Sequence, residues 1–239
     1  MDWRDQGMLL AVRPHGENSV IAEVFTRGHG RHLGVIRGGR SRKLAPILQP
    51  GAQLDVAWRA RLESHMGSFT AEPIQSRMAA VLNDPLRLSA LSSLCATSAF
   101  CLPERESLPN FQSETEALAD AIHSGEGWLS AYIFWELRLL EETGFALDLS
   151  ACANGGGAND LAYVSPRTGR AVSRMGAGEW ADRLLPLPEC LLGGPVSLDG
   201  ARAALTLTGH FLTQHLAPSL GGRAFPAART RFVEQVARA

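Results

Sequence analysis

The sequence predicts an α+β protein, with a small β-barrel at the N-terminus followed by a helical domain that a loop-rich segment interrupts. Three observations predict it. The first 76 residues alternate apolar and polar side chains between glycine-rich and proline-rich turns. From Ser76 the apolar period lengthens from two to that of a helix. At 239 residues the chain is long enough for one or two domains of about 150 residues each.

The barrel strands come first. Residues 7–13 read as a strand ending at Pro14, and residues 19–26 alternate Val20, Ala22 and Val24 against Ile21, Glu23 and Phe25. Residues 32–37, 53–61 and 66–74 follow, punctuated by Gly28, Gly30, Gly38, Gly39, Gly51 and Gly67. Five short strands in about 75 residues suit an OB-fold, and an SH3-like barrel fits the same alternation. Trp58 and Phe69 fall on these strands, as barrel core or as stacking platforms.

The helices follow. Asn83-Asp84-Pro85 caps one that runs through Leu86, Leu88, Leu91, Leu94 and Phe100 and stops near Pro103. Residues 113–123 form a second, with Glu114 and Glu116 in its first turn. Residues 128–143 are apolar on two faces, which places that helix at the centre of its bundle, and Gly144 with Phe145 caps its end. Residues 150–178 are loop-rich around Gly155-Gly156-Gly157, and a last helix covers about 200–216. Arg223, Arg229, Arg231 and Arg238, with Phe225 and Phe232, make the tail either a packed segment with solvated arginines or a second nucleic-acid surface.

Charge is unevenly spread. The net charge is −1, yet residues 1–80 hold eleven cations against seven acids, 81–150 three against eleven, and 151–239 nine against six. No acid lies between Glu23 and Asp55, where Arg27, Arg31, Arg37, Arg40, Arg42 and Lys43 all fall. An acid-free basic block in a neutral protein is the footprint of a phosphate-binding face. Basic side chains also blunt exposed sheet edges, so a solvated face fits too.

Other chemistry is missing. With Lys43 the one lysine, a G-x-x-x-x-G-K-[ST] phosphate loop is excluded. The glycine triplet follows no strand, and no Gly-x-Ser-x-Gly elbow occurs. His29 and His32 stand three apart without a carboxylate near in sequence, a weak start for a metal site. The four cysteines, Cys95, Cys101, Cys152 and Cys190, are unpatterned and fit thiols in a reducing cytoplasm. No run of eighteen apolar residues and no basic, apolar leader is visible, so a cytoplasmic protein without membrane association is expected. No catalytic constellation and no cofactor motif emerges.

Several segments, in order, carry a resemblance. Gly16-Glu-Asn-Ser-Val-Ile-Ala-Glu-Val-Phe-Thr-Arg27, then Gly30-Arg-His-Leu-Gly-Val-Ile-Arg-Gly-Gly-Arg-Ser41, resembles the start of the RecO family of DNA repair proteins. Leu48-Gln-Pro-Gly51, Trp135-Glu-Leu-Arg-Leu-Leu-Glu-Glu-Thr-Gly144 and Leu184-Leu-Pro-Leu-Pro188 extend it. The resemblance implies an OB-fold domain over 1–76, a helical domain over 77–150, a degenerate zinc-ribbon-like segment over 151–185, and a C-terminal helix and tail over 186–239 packing on the helical domain. It implies a recombination mediator, not an enzyme, that binds single- and double-stranded DNA and anneals complementary strands. RecR and the C-terminal tail of the single-stranded DNA-binding protein are its implied partners, with the RecA recombinase reached indirectly and the nucleoid its place during repair. Many relatives hold zinc through two Cys-x-x-Cys pairs, but here Cys152-Ala-Asn-Gly155 keeps one cysteine and residues 172–175 keep none, so no zinc is carried over. Phe134, Trp135 and Arg138 are candidates for an apolar pocket with a cation, or for helix core. Two other readings stay open from the residues alone: a metal-dependent nuclease using His29 and His32, and an RNA-binding OB protein.

Overall fold

The first strand is longer than its alternation suggests because its two halves pair with different neighbours. In a computed structural model, which describes residues 1–155 and 159–239, β1 (Asp2–His15) pairs through Asp2–Met8 with β4 (Gln53–Arg59) and through Gly7–His15 with β2 (Ser19–Thr26). The switch needs Gly7, since a Cβ there would lie 2.5 Å from the Phe25 carbonyl oxygen. β3 (Gly30–Ile36) and β5 (Ser68–Gln75) complete a closed barrel in the order β1-β2-β3-β5-β4. Its one parallel contact joins Val35 to Ser68. This is the five-stranded OB barrel. Its core takes Leu9, Val20, Val24, Ile36, Leu54, Val56, Trp58 and Phe69, so Trp58 and Phe69 are core residues.

Helices α1 (Met78–Val81), α2 (Pro85–Cys101) and α3 (Pro109–Ser124) follow. Asp84 caps α2 by accepting from the Arg87 backbone N–H at 3.0 Å and its guanidinium at 2.7 Å, which holds the Asp84 carboxyl below the usual carboxylate range. α3 starts at Pro109 rather than at residue 113, because proline is favoured in the first turn. Glu116 consequently sits inside the helix, where it accepts from Gln53 at 2.6 Å and Gln112 at 2.5 Å.

The chain forms two compact units, Met1–Glu126 with Pro226–Phe232, and Gly127–Phe225 with Val233–Ala239. Within the first unit, α2 and α3 pack on the barrel. Arg77 joins the barrel to α3. Its side chain, 3% exposed, pairs with Asp120 at 2.7 Å and donates at 3.1 Å to both the Gly51 carbonyl and the Gln53 side chain.

The second unit opens with α4 (Trp128–Glu142), which buries Trp128, Tyr132, Ile133, Trp135, Leu139 and Leu140. Gly144 (φ 84°) ends it, and the Phe145 N–H returns to the Leu140 carbonyl at 2.7 Å. The segment read as loop-rich carries a small sheet of β6 (Leu161–Val164), β7 (Ala171–Ser173) and β8 (Leu185–Pro186), ordered β7-β6-β8, with α5 (Arg174–Ala177) after β7. Its strands have only two to four residues, too few to show alternation. Gly156 and Gly157 of the triplet lie outside the described residues.

Ser197 caps α6 (Leu198–Phe211), which continues through a π turn at Leu212–Leu216 into α7 (Ala217–Ser219). The wider turn accommodates Pro218, so the helix runs past it. The tail forms α8 (Ala227–Arg238), with Phe232 and Val236 fully buried and Arg229 nearly so. It is a packed segment, and a deletion of 223–239 would remove core. Arg231 and Arg238 are exposed.

Removing the buried Arg77 guanidinium leaves Gly51, Gln53 and Asp120 without their shared donor. Arg77→Ala is expected to lower unfolding free energy by about 3 kcal/mol. Asp120→Ala, which deletes a half-exposed partner, should cost about 1 kcal/mol or less. Paired urea denaturation curves check the contrast.

Candidate nucleic-acid interface

The six basic residues do not form one patch. Arg27 lies in the turn between β2 and β3, whereas Arg37, Arg40, Arg42 and Lys43 lie in the connection after β3. The seven residues of β3 separate the two groups by about 20 Å at 3.3 Å per residue.

Arg31, on β3 itself, points into the fold. Its guanidinium pairs with Glu23 and donates to the Leu102 carbonyl at 2.7 Å, and it is 16% exposed. Glu23 is a buried carboxylate that also takes Arg13 at 3.1 Å. Once buried, that carboxylate requires compensating donors, so Arg31 is withdrawn from solvent. Sequence treated Arg31 like its neighbours because its partners lie eight and seventy-one residues away.

The second group is built for display. Ser41 starts two successive helical turns, with Ala45 N–H bonded to the Ser41 carbonyl at 2.9 Å and Leu48 N–H to that of Leu44 at 3.0 Å. Leu44, Ile47 and Leu48 pack on the barrel core, which leaves Arg42 and Lys43 exposed. Arg40 ties the turn to the β1–β2 connection, its guanidinium donating to the Glu17 carbonyl at 3.1 Å and its backbone N–H to that of Asn18 at 3.2 Å. Arg37 is exposed beside Gly38 (φ 67°), where left-handed backbone favours glycine. Among the described residues, Arg27, Arg37, Arg42 and Lys43 have no carboxylate at ion-pair distance. The arrangement suits one chemistry: several cations presented on a rigid frame to a polyanion.

The histidines do other work. His29 Nδ1 lies 3.2 Å from Asp5, which also accepts from the Gly28 N–H at 2.8 Å. His32 is buried with Nδ1 3.1 Å from the Leu33 carbonyl. Among the described residues no group of three or more His, Cys, Asp or Glu could hold a metal ion. The nuclease reading therefore finds no centre there. Trp3, which alternation left outside the first strand, stacks on His29 at 4.0 Å and 7° and on Trp58 at 5.7 Å. The visible signal was an aromatic residue in the N-terminal run, but its pairing with Trp58 comes from register.

In the second unit, Phe134, Leu137, Arg138, Ala146, Leu147 and Leu149 line a pocket of about 400 Å³ together with Glu141. Phe134 is 41% exposed, whereas Trp135 is buried, so Trp135 belongs to the helix core and not to this pocket. Arg138 pairs with Glu142 at 2.7 Å and with Glu141.

Comparison with known proteins decides the family. The model for "Recombination protein O N terminal" matches residues 1–77, and that for "Recombination protein O C terminal" matches residues 82–224. The chain belongs to the RecO family. The DNA repair protein RecO of Dinoroseobacter shibae is 62% identical over 239 residues, covering 100% of this chain and 99% of that protein. RecO of Cereibacter sphaeroides is 59% identical with both chains covered in full, and RecO of Roseobacter denitrificans is 57% identical over 100% of this chain and 99% of its own. The chain is thus a member of a DNA repair and recombination family, and none of its described helices is long and apolar enough to cross a membrane.

The zinc that the RecO resemblance associates with many members does not fit here. Cys152 Sγ is buried and accepts from both the backbone N–H and the hydroxyl of Ser173 at 3.3 Å. Gly176 is also close, and a Cβ there would stand 2.8 Å from the sulfur. Ser173 and Gly176 have Cys-x-x-Cys spacing but supply no thiolate, so a tetrahedral set cannot form. Leu161, Val164, Ala171 and Val172 are buried and hold the small sheet instead. Elemental analysis should find far less than one zinc per chain, and a chelator should leave the melting temperature unchanged; stoichiometric zinc would overturn this.

Proposed function

We propose that this chain is a DNA-binding recombination mediator that grips the phosphate backbone through Arg27, Arg37, Arg40, Arg42 and Lys43. It acts without catalysing a reaction: it binds single- and double-stranded DNA, anneals complementary strands, and assists recombinase loading with RecR in the cytoplasm, at the nucleoid during repair. The observation that carries this reading is the β3–β4 turn, whose apolar side is anchored on the barrel while Arg42 and Lys43 stand free. Annealing requires the backbone to be held with bases left able to pair, and cations on a rigid turn do that. Arg31 is omitted, because Glu23 and the Leu102 carbonyl occupy it.

Five single-strand phosphate contacts correspond to a salt slope of roughly −3.5 at about −0.7 per contact. Replacing Arg37, Arg40 and Arg42 with Ala should reduce the slope by about two and weaken all sequences alike. Stability should change by under about 0.5 kcal/mol at Arg37 and at Arg42, and by about 1 kcal/mol at Arg40, which loses its bond to the Glu17 carbonyl. A triple variant that anneals like wild type at about 150 mM salt, where distant charges are screened, would show the turn to be a solvated face. Parallel titrations with RNA of the same sequence separate the RNA-binding alternative.

The tail of the single-stranded DNA-binding protein has a candidate seat in the Phe134 pocket, which offers an apolar floor and one cation. An acidic peptide must displace Glu141 and Glu142 from Arg138. Phe134→Asp, at an exposed position, should lower affinity for that tail peptide at least about tenfold without affecting DNA binding, and Glu141→Gln should raise it. Calorimetry with the isolated peptide measures both; unchanged affinity in Phe134→Asp would place the tail elsewhere.

A further inference from the structure

The barrel end opposite the Arg37–Lys43 turn carries a pocket that phosphate binding does not explain. Its volume is about 390 Å³, and its lining includes the rings of Trp3, His29, His32 and Trp58, with Asp2, Glu63 and Arg105 among its polar groups. That volume lies in the range of small-ligand sites. We propose that this pocket receives one unpaired nucleobase of a bound single strand, preferring bases that carry an exocyclic amino group. The inference rests on the DNA-binding reading above and adds a base contact to its backbone contacts.

The rings are held before any ligand arrives. Trp58 donates from Nε1 to the Met66 carbonyl at 2.9 Å, and its ring meets His32 edge-on at 4.7 Å and 64°. Trp3 lies between His29 and Trp58 in a continuous stack, and Asp5 fixes His29. Arg105 donates to the Glu63 and His65 carbonyls, which anchors the β4–β5 connection at the pocket. Rings fixed in this way lose little freedom when a base joins them. Every nucleobase presents a π-face, and histidine and tryptophan are both stacking partners for unpaired bases.

The polar groups separate a base from other occupants. Two carboxylates at the lining disfavour a phosphate, whereas a carboxylate accepts from a base amino group as it does from cytosine N4. Burial pushes the His32 imidazole pKa down, so that ring is uncharged at neutral pH. Arg27 immediately precedes Gly28, a lining residue, and places a free cation beside the pocket for the adjoining phosphate. A strand running along the β2–β3 hairpin would connect this cation to the Arg37–Lys43 group, a path of about four nucleotides or more.

Fluorescence anisotropy tests this with oligo(dC), oligo(dT) and an abasic oligomer of equal length on the full chain. Wild type should bind oligo(dC) at least about fivefold more tightly than the abasic oligomer, with oligo(dT) between them. His29→Ala, at a partly exposed turn position, should bring the dC-to-abasic ratio close to one and leave the salt slope unchanged. Trp3→Phe, which keeps a ring, should retain most of the ratio. Glu63→Ala keeps the backbone carbonyl that Arg105 uses but removes the side-chain acceptor, and should reduce the preference for dC over dT, which covers the case of a His29 variant that fails to fold. If all oligomers bind with a steep salt slope but the ratio is the same in wild type and His29→Ala, the pocket is not a base site and the backbone reading stands. If none binds, both readings fall.

Discussion

A buried guanidinium must find acceptors in several directions, and Arg77 finds them on both the barrel and the helices that follow it. Gly51 and Gln53 supply them from the start of β4, and Asp120 supplies one from α3. Gln53 in turn donates to Glu116, which also takes Gln112. The network is buried at Arg77, Gln53 and Gln112 and reaches solvent at Asp120, so its buried parts are worth more together than as separate surface pairs. It also fixes the point at which the β3–β4 connection re-enters the barrel. The basic turn is therefore displayed from a connection clamped at both ends, by Arg77 at Gly51 and by Arg40 on the β1–β2 connection.

Within this frame, identical side chains divide into two kinds of work. Arg31 neutralises a carboxylate inside the barrel wall, and Arg77 joins barrel to helix. Among the described residues, Arg37, Arg42 and Lys43 face water with no carboxylate at ion-pair distance. The distinction follows from desolvation: a guanidinium already satisfied by a buried carboxylate gains little from an added phosphate, while a hydrated one exchanges solvent and counterions for it. On the function proposed above, the hydrated cations would give a reversible, salt-sensitive hold on the phosphate backbone.

In the second unit, hydrogen bonding and apolar packing hold the short sheet around Cys152. Ser173 hydrogen bonds and Gly176 packing occupy the space around Cys152, and buried Val164 and Val172 stabilise the short strands. The remaining thiols are equally withdrawn: burial pushes Cys95 up to about 12 and raises Cys190 as well. Such thiols stay protonated at neutral pH and are poor nucleophiles or ligands.

The sequence by itself determined the features that depend on near neighbours. The alternation of β2, the Asp84 cap, the Gly144 terminus and the acid-free run from Arg27 to Lys43 are all legible within a few residues, because pleat, helical turn and local charge repeat over that distance. Only the tertiary structure decided which cations are free, since Arg31 differs from Arg37 through Glu23 and Leu102 rather than through its flanking residues. It also decided that β1 begins at Asp2, whose partner Arg59 is far along the chain. The same pairing brings Trp3 to Trp58 and creates the aromatic pocket. The tail became a helix for a similar reason: Phe232 and Val236 are apolar residues in a polar, arginine-rich stretch until other parts of the chain cover them. Burial and register are properties of distant partners, and a local pattern cannot carry them.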